Sequence, residues 1–498
     1  MLKSCSLAVL TLLALKAQAT TPVIYGEDNR QEVYEATSMN QMLAASAATM
    51  IEKSKIIVSP EKPGLVQIEQ TTLRSWLEAQ FEEEKSNLLS PAAKAAVDNR
   101  VSFCAGEKFT EQPNAGVCSG FLVGPDLLVT AGHCVAVPDF CSKYKWVFDF
   151  KVDAASKTAG VEIKEENVYS CKKVISNALT NSMGLDYGMI QLDRKVKGRK
   201  ALQIRSEGKI SDGASLVVIG SPSGLPLKVA AGANVRTNTH PFFFAANLDT
   251  FQGNSGSAVF NAETGVVEGI LVRGEEDFEA NTTLMCIEAK RCNDSDCRGE
   301  DVSRLTSIPE IAVKDALFAI AEKGDVKKLE LLTKNRFWVD IYGNDGRTAL
   351  MKAAVNGHSE FVEKLVAKGA DVKIQDAEGN SALHLLAGIL NKKNTNTLKA
   401  LLTAGGELEL RNDSRETPVL VASRALNNEA VRILIKNGAD KNAVNDRNET
   451  VLFAFARNGD NKVVKELIAI GVDASVRNAE GLTAQEVKKP GLFARLRK

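Results

Sequence analysis

Short apolar runs separated by turn-forming residues dominate the chain between about Val101 and Ile308. The runs are GFLVG, LLVTA, YKWVFDF, YGMIQL, SLVVIG and GILVRG, and Gly, Pro, Asn and Asp bound them. Runs of this length, rich in β-branched and aromatic residues, are typical of strands in a barrel or a sandwich. The pattern therefore predicts an all-β domain over residues 101–308.

The preceding residues, 20 to about 100, carry apolar positions at helical spacing after a short extended start. This spacing occurs in MNQMLAASAATMI and in LRSWLEAQFEEEKSNLL, and Ser90-Pro91 has the form of a further helix start. We expect a largely helical N-terminal extension over residues 20–100. It is either a propeptide or a part of the mature fold.

The last third of the chain repeats itself. Corresponding segments begin at six positions with steps of 33, 33, 36, 33 and 33 residues: Asp315, Thr348, Ser381, Thr417, Thr450 and Thr483. The general form of the unit is a T-x-L start, an alanine-rich helix, and a second apolar helix that ends in a motif such as Gly-Ala-Asp. The unit resembles the ankyrin repeat, over about residues 315–490. The three extra residues of the third unit fall in GILNKKNTNT.

This resemblance implies an all-α solenoid whose concave surface binds a protein partner. The alternative is that the repeats only stabilise or space the chain. His358 and His384 occupy repeat positions at which histidine commonly makes structural hydrogen bonds, so we do not expect them to be catalytic.

The N-terminus has the features of a secretory signal peptide, residues 1–19. Lys3 precedes an apolar run from Leu7 to Leu15, and Ala17-Gln18-Ala19 has the small-x-small pattern of a cleavage site. The run is too short to span a bilayer, and no later stretch reaches that length. We therefore expect a protein that is secreted or periplasmic and has no membrane span.

Charge gives no reason to expect a nucleic-acid partner. The 498 residues include 62 Lys and Arg and 62 Asp and Glu, so the formal net charge is zero. No basic or acidic field favours nucleic acid or a membrane surface.

Cysteine placement separates the middle of the chain from its end. Cys5 lies in the signal, and the other eight cysteines all fall between positions 104 and 297. An even number in an exported protein predicts disulfides, and their confinement indicates a domain boundary near residue 300. Zinc is the competing interpretation for Cys286, Cys292 and Cys297, but the chain has no CxxC pair and no histidine close to them in sequence. No metal or cofactor is therefore expected.

One serine stands in a glycine-rich stretch, DTFQGNSGSAV, residues 249–259. Gly, Asn and Ser build tight turns whether or not chemistry takes place there, so Ser255 alone does not identify a catalytic site. A second motif, LLVTAGHC at residues 127–134, contains His133 and follows CSGFLV at residues 118–123. Together these motifs resemble the chymotrypsin-like serine proteases, which implies a double β-barrel fold.

The family's third catalytic residue lies between the histidine and the serine in chain order. GLDYGMIQL, residues 184–192, fits the family pattern, and its aspartate is Asp186. The resemblance implies that Ser255 is the nucleophile, His133 the general base and acid, and Asp186 the group that orients the imidazole. It also implies a Cys118–Cys134 disulfide, and an oxyanion hole built from the amides of Gly253 and Ser255.

Asn254 departs from the trypsin-type GDSGG sequence. In those enzymes an aspartate pairs with a newly formed N-terminal ammonium and so assembles the oxyanion hole, and asparagine cannot form that ion pair. GNSGS instead resembles the glutamyl-endopeptidase branch, as does the start VIYGEDNR at residues 23–30. The resemblance implies that residues 23–100 stay attached to the protease domain.

Substrate preference is predicted from a different pair of positions. Glutamate-specific relatives carry a histidine in the strand after the serine, but GILVRG has none. Asp249 occupies the place of the carboxylate that receives Lys or Arg in trypsin-like members, and Gly274 fits an open pocket wall. We expect a preference for Lys or Arg at P1, unless Arg273 neutralises Asp249.

The sequence thus predicts a serine endopeptidase that acts on proteins or peptides and carries ankyrin repeats. One alternative is an inactive protease-like domain in an ankyrin scaffold or adhesion protein. Another is an esterase, but the short strands do not provide the parallel-sheet context of the α/β-hydrolase nucleophile elbow.

Overall fold

A computed structural model describes residues 24–69, 71–88, 102–155, 162–180, 184–274, 277–281, 286–293, 297–333, 339–343, 345–391 and 394–487. The predicted signal peptide and the predicted helix start at Ser90-Pro91 lie outside these residues. The chain divides into two compact units, Met1–Ala312 and Val313–Lys498.

The first unit contains the strands. They are β1 Ile24–Tyr25, β2 Arg30–Glu32, β3 Ala47–Glu52, β4 Ile56–Val58, β5 Leu65–Ile68, β6 Gly116–Leu122, β7 Leu127–Thr130, β8 Tyr144–Phe148, β9 Glu162–Lys164, β10 Val168–Thr180, β11 Leu185–Leu192, β12 Ser215–Gly220, β13 Lys228–Thr237, β14 Phe243–Ala246, β15 Ala258–Asn261, β16 Val267–Arg273, β17 Phe278–Asn281, β18 Cys286–Ala289, β19 Arg291–Cys292 and β20 Glu300–Arg304.

The α-helices of the first unit are short, apart from the second. They are α1 Ser38–Ala44, α2 Leu73–Leu88, α3 Gly132–Val135, α4 Phe140–Lys143 and α5 Pro309–Ala312. Five 3-10 turns lie at Val33–Glu35, Lys53–Lys55, Glu165–Asn167, Pro222–Gly224 and Leu305–Ser307.

Two closed antiparallel barrels form the core of this unit. The first has the strand order β10-β11-β7-β6-β3-β8. The second has the order β12-β15-β16-β20-β14-β13 and closes through the β12–β13 pairing, while β2 also pairs with β13. Strand β7 is buried at every position. Since side chains of a barrel strand alternate between the interior and the exterior, both faces of this strand are covered. The predicted chymotrypsin-like double barrel is confirmed.

The N-terminal extension is not the separate, largely helical segment that the sequence predicts. Within MNQMLAASAATMI, only Ser38–Ala44 is helical, and Ala47–Glu52 forms β3. This strand lies between β6 and β8 and completes the first barrel. The prediction was wrong here because alternation and helical spacing are hard to distinguish in a short apolar run, and barrel closure selects the strand. Helix α2 does match its predicted segment.

All eight cysteines between positions 104 and 297 are paired. The disulfides are Cys104–Cys286, Cys118–Cys134, Cys141–Cys171 and Cys292–Cys297. The described residues contain one cluster of potential metal ligands, Cys118, His133 and Cys134, and two of its three ligand atoms are disulfide sulfurs. A disulfide sulfur is not a thiolate, so this cluster lacks the usual chemistry of a zinc site.

The second unit consists of helix pairs. They are α6 Lys314–Lys323 with α7 Val326–Leu332, α8 Ala349–Val355 with α9 Ser359–Ala367, α10 Ala382–Ile389 with α11 Thr395–Thr403, α12 Pro418–Arg424 with α13 Asn428–Lys436, and α14 Val451–Asn458 with α15 Asn461–Ala469. The hydroxyls of Thr348 and Ser381 cap α8 and α10, which explains the T-x-L start. The predicted α-helical solenoid is confirmed.

The two repeat histidines make hydrogen bonds between successive repeats. His358 Nε2 lies 2.9 Å from the carbonyl oxygen of Glu322, and His384 Nε2 lies 3.1 Å from that of Glu416. His384 is fully buried, and burial lowers its pKa, so the imidazole stays neutral. No described helix is both long and apolar enough to cross a bilayer.

Candidate active site

His133 lies on α3, directly after β7. A Cβ added to the preceding residue, Gly132, would collide with the carbonyl oxygen of Ala178 on β10. The glycine of the TAGH motif is therefore required because the backbone passes close to a neighbouring strand. The side chain of His133 is 36% exposed, so the imidazole is held by the barrel but remains open to solvent.

Asp186 fixes the orientation of His133. The strand pairing of β11 with β7 brings Asp186 beside α3, where its side chain is 3% exposed. Asp186 Oδ2 lies 2.9 Å from His133 Nδ1, and Asp186 Oδ1 accepts the backbone N–H of His133 at 3.1 Å. Because a carboxylate only accepts, Nδ1 carries the proton and Nε2 keeps its lone pair. This is the tautomer that a general base requires.

The turn that contains Ser255 is anchored to the strand of Cys118. The Ser119 amide donates to the carbonyl oxygen of Ser255 at 2.8 Å, and the Ser119 hydroxyl donates to the carbonyl oxygen of Gly253 at 2.9 Å. Cys134 Sγ lies 3.7 Å from that Ser255 oxygen. The disulfide and the Ser119 contacts therefore place Ser255 beside Cys134, the residue that follows His133.

Two glycines of this turn adopt conformations that other residues avoid. Gly253 and Gly256 have φ angles of 93° and 91°, in the region where an added side chain is strained. A Cβ at Gly256 would also collide with the carbonyl oxygen of Ser119. The GNSGS sequence thus has a backbone requirement that is independent of any chemistry.

The amides of Gly253 and Ser255 have no acceptor among the described residues. The carbonyl oxygen of Gln252 accepts the amide of Ser223. Since no peptide in the described chain is cis, the N–H of Gly253 points away from that carbonyl. Two backbone donors beside the serine are thus available to an oxyanion.

Asn254 takes part only in local contacts. It is 2% exposed, its amide donates to the carbonyl oxygen of Phe251 at 2.9 Å, and its Oδ1 accepts the Ser257 hydroxyl at 3.2 Å. These bonds shape the turn and involve no charge.

Asp249 does not have the free carboxylate that the sequence prediction requires. Its Oδ1 accepts the amide of Tyr25 at 2.7 Å, and its Oδ2 accepts the amide of Asn29 at 2.9 Å. The residue is 5% exposed, and burial raises its pKa to about 6 despite these two bonds. Both oxygens therefore hold the N-terminal segment, which argues against Asp249 as the group that meets a substrate cation.

Arg273 does not pair with Asp249 either. Its Nη2 donates to the carbonyl oxygen of Gly184 at 3.1 Å, and its Nε lies 3.5 Å from Asp301 Oδ2. Gly184 is two residues before Asp186, so Arg273 links the strand after the serine to the aspartate loop.

The carboxyl group that packs against Gly274 belongs to Glu300, at the start of β20. A Cβ added to Gly274 would collide with this carboxyl group. Glu300 is fully buried, Thr250 Oγ1 donates to its Oε2 at 3.2 Å, and its Oε1 has no partner among the described residues. Burial raises its pKa well above the ordinary value. Sequence reasoning missed Glu300 because its neighbours come from separate segments and no local motif marks it.

Asp277 is a second carboxyl group that the sequence does not reveal. Both of its carboxyl oxygens lie near the amide nitrogen of Gln252, at 3.0 and 3.2 Å. Burial raises its pKa to about 8.

Comparisons with known proteins assign both parts of the chain. A family model described as trypsin-like peptidase domain matches residues 118–270, and one described as ankyrin repeats (3 copies) matches residues 299–376, 360–445 and 421–485. The first match includes His133, Asp186 and Ser255.

Several curated proteins that resemble this chain have ankyrin repeats in their names. Notch-regulated ankyrin repeat-containing protein A of Danio rerio is 36% identical over 85 residues, which is 16% of this chain and 72% of that protein. The Xenopus tropicalis Notch-regulated ankyrin repeat-containing protein is 39% identical over 69 residues, 13% of this chain and 60% of that protein. SH3 and multiple ankyrin repeat domains protein 2 of Homo sapiens is 36% identical over 106 residues, 21% of this chain and 6% of that protein. The last two matches thus span less than two thirds of the relative. The chain therefore contains a trypsin-like peptidase domain, followed by C-terminal ankyrin repeats.

Proposed function

We propose that this protein is a serine endopeptidase that hydrolyses peptide bonds of protein or peptide substrates. The observation that carries the proposal is the His133–Asp186 pair, with 2.9 Å between Nδ1 and Oδ2. The carbonyl oxygen of Ser255 lies 3.7 Å from Sγ of Cys134, the disulfide-bonded residue that follows His133. These are the three groups of a catalytic triad in the expected chain order.

The chemistry follows from the state of each group. His133 Nε2 accepts the proton of the Ser255 hydroxyl as the oxygen attacks the substrate carbonyl, and later gives it to the leaving amine. Asp186 stabilises the imidazolium and holds its orientation. The free amides of Gly253 and Ser255 donate to the oxygen that becomes negative. Hydrolysis of the acyl-enzyme by water then releases the second product.

A preference for Lys or Arg at P1 belongs to the proposal, but Glu300 replaces Asp249 as its basis. The supporting observations are the complete burial of Glu300, its contact with Gly274 and its unpartnered Oε1. A buried carboxyl with one free oxygen is an acceptor for a substrate ammonium or guanidinium, and it ionises when that cation arrives.

We also infer export of the protein. Four disulfides confined to the first unit fit an oxidising compartment, either outside the cell or in a periplasm. The ankyrin repeats would bind a protein partner, a substrate or a regulator, as repeat arrays of this kind commonly do.

The test is cleavage of a peptide library varied at P1, by protein produced under oxidising conditions and by its Ser255→Ala variant. Labelling with a fluorophosphonate probe accompanies it, because the probe reacts only with an activated serine. We expect labelling and cleavage by the unmodified protein and neither by the variant. If the folded protein shows neither reaction, it is an inactive protease-like scaffold and the proposal fails.

A further inference from the structure

The peptide group between Gln252 and Gly253 decides whether the oxyanion hole exists. Its N–H is one of the two donors beside Ser255, and rotation of this peptide would replace the donor by the Gln252 carbonyl oxygen. Asn254 has no charge with which to hold the loop through an ion pair, and its contacts are local. The loop therefore needs another support.

Gln252 is held on both sides. Its carbonyl oxygen accepts the amide of Ser223, and its own N–H points to the carboxyl group of Asp277, at 3.0 and 3.2 Å from the two oxygens. The two bonds restrain the backbone before and after the Cα atom of Gln252. Together they fix the peptide that carries the Gly253 donor.

Asp277 is itself firmly placed. It is 8% exposed, and its carbonyl oxygen accepts the amide of Lys290 at 3.0 Å. The next residue, Phe278, packs on Phe251 with 5.2 Å between the ring centroids. The guanidinium of Arg30 lies 4.0 Å from the Phe251 ring centre. Its charge lowers the pKa of Asp277, but the effect of burial is larger and raises this pKa to about 8. A carboxyl group set in this cluster can act as a rigid support for the loop.

We propose that Asp277 is the positioning residue of the oxyanion hole, and that it acts through the backbone of Gln252 without touching the substrate. The inference rests on the proposed protease function. It assigns to an internal aspartate the task that an aspartate–ammonium pair performs in trypsin-type enzymes. Assembly of the hole then does not depend on a new N-terminus.

The test compares Asp277→Ala with Asp277→Asn in the full chain. Alanine removes the acceptor, whereas asparagine keeps an oxygen at the same place. Because the pKa of Asp277 is about 8, the carboxyl group is mostly neutral near pH 7. A neutral hydrogen bond contributes about 0.5–1.5 kcal/mol, which corresponds to a loss of about 2- to 13-fold. We expect kcat of the alanine variant to fall within this range, with KM changed by less than about twofold, because the loss concerns the transition state. The asparagine variant should recover most of the activity.

Inhibition by a peptide aldehyde distinguishes loss of the oxyanion hole from a general loss of structure. It forms a tetrahedral adduct with the serine and so uses the hole, whereas the matching peptide acid binds without an adduct. Asp277→Ala should weaken binding of the aldehyde by about the same factor as it lowers kcat, and it should leave binding of the acid unchanged. Asp193→Ala is the matched control, because Asp193 is a half-exposed aspartate that pairs with Arg194 at the surface.

The outcomes separate the two proposals. If the unmodified protein neither cleaves peptides nor reacts with the fluorophosphonate, the protease function fails. If it cleaves them and the alanine variant keeps its kcat, only the role of Asp277 is refuted. The same holds if the alanine variant loses affinity for the aldehyde and for the acid by equal factors. Asp277→Leu, which has the same branching at Cγ and no acceptor, gives the same decision if the alanine variant does not fold.

Discussion

Asp249 Oδ1 lies 2.7 Å from the backbone nitrogen of Tyr25, and this bond ties the loop before Ser255 to the N-terminal segment. The second oxygen of Asp249 binds the amide of Asn29 in the same way. A residue that looks like a specificity determinant in the sequence is therefore a structural link in the fold. Substitution of Asp249 can distinguish a structural role from a role in substrate binding.

Replacing Asp249 by alanine should destabilise the protein without changing its P1 preference. The amide of Tyr25 would lose its acceptor in a buried place, and that of Asn29 in a partly buried one. An unsatisfied buried donor costs about 1–3 kcal/mol. The free energy of unfolding in urea measures the loss, and Asp193→Ala serves as the surface control. If the free energy of unfolding is unchanged and cleavage after Lys and Arg is lost, Asp249 contacts the substrate and is not a structural link.

The same carboxyl group predicts a pH dependence of stability. The pKa of Asp249 is about 6 in the folded protein and 3.8 in its ordinary state, so the folded protein binds more protons between these values. Its contribution to stability is complete below about pH 3.8 and is lost as the pH rises through about 6. The stability advantage of the unmodified protein over Asp249→Asn should therefore shrink across this window. Urea unfolding of both proteins at pH 4, 5, 6 and 7 measures it, and a difference that grows with pH would contradict the assignment.

Asp186→Asn should retain the fold and lose most of the activity. The amide side chain can present an N–H to His133 Nδ1, which favours the tautomer whose Nε2 carries the proton and cannot accept one. For triads of this kind the loss in kcat is roughly 10⁴-fold. Steady-state kinetics on a good peptide measure kcat, and circular dichroism checks the fold. Activity within tenfold of the unmodified protein would exclude Asp186 from the triad.

Glu300→Gln should reduce cleavage after Lys and Arg. The variant keeps the shape of the side chain but cannot ionise to meet a cation, and a charge-assisted bond contributes about 1.5–3 kcal/mol. We expect kcat/KM for Lys or Arg at P1 to fall about 10- to 150-fold, while substrates with a small uncharged P1 residue change little. If the unmodified protein prefers uncharged P1 residues, or if kcat/KM falls equally for both substrate classes, Glu300 does not determine the P1 preference.

Removing the Cys118–Cys134 disulfide should affect both stability and activity. Replacing both cysteines by serine opens a loop with a sequence separation of 16, for which chain entropy predicts a loss of about 3 kcal/mol. Because this bond lies beside Ser255 and His133, kcat should also fall. The control is the same change at Cys292 and Cys297, with a separation of 5 and an expected loss of about 2 kcal/mol. Equal activity in the two variants would show that the first disulfide does not position the site.

Short stretches of sequence are sufficient to predict the features that depend on local chemistry. Gly253 and Gly256 mark a turn because only glycine adopts their backbone angles readily. The order of His133, Asp186 and Ser255 and the 33-residue spacing of the repeats can be read without coordinates. Six of the twelve barrel strands also follow from short apolar runs: β6, β7, β8, β11, β12 and β16.

Features that depend on residues distant in the chain could not be predicted in this way and became visible in the folded protein. Ala47–Glu52 is a strand because it completes a barrel between β6 and β8. Asp249, Glu300 and Asp277 are all acidic residues with no distinguishing local pattern, and each takes its role from partners that other segments supply. A carboxyl group becomes a structural link, a pocket acceptor or a backbone support according to which donors the fold brings within about 3 Å of it. Packing fixes the placement of these donors around each carboxyl group, so no short stretch of sequence predicts it.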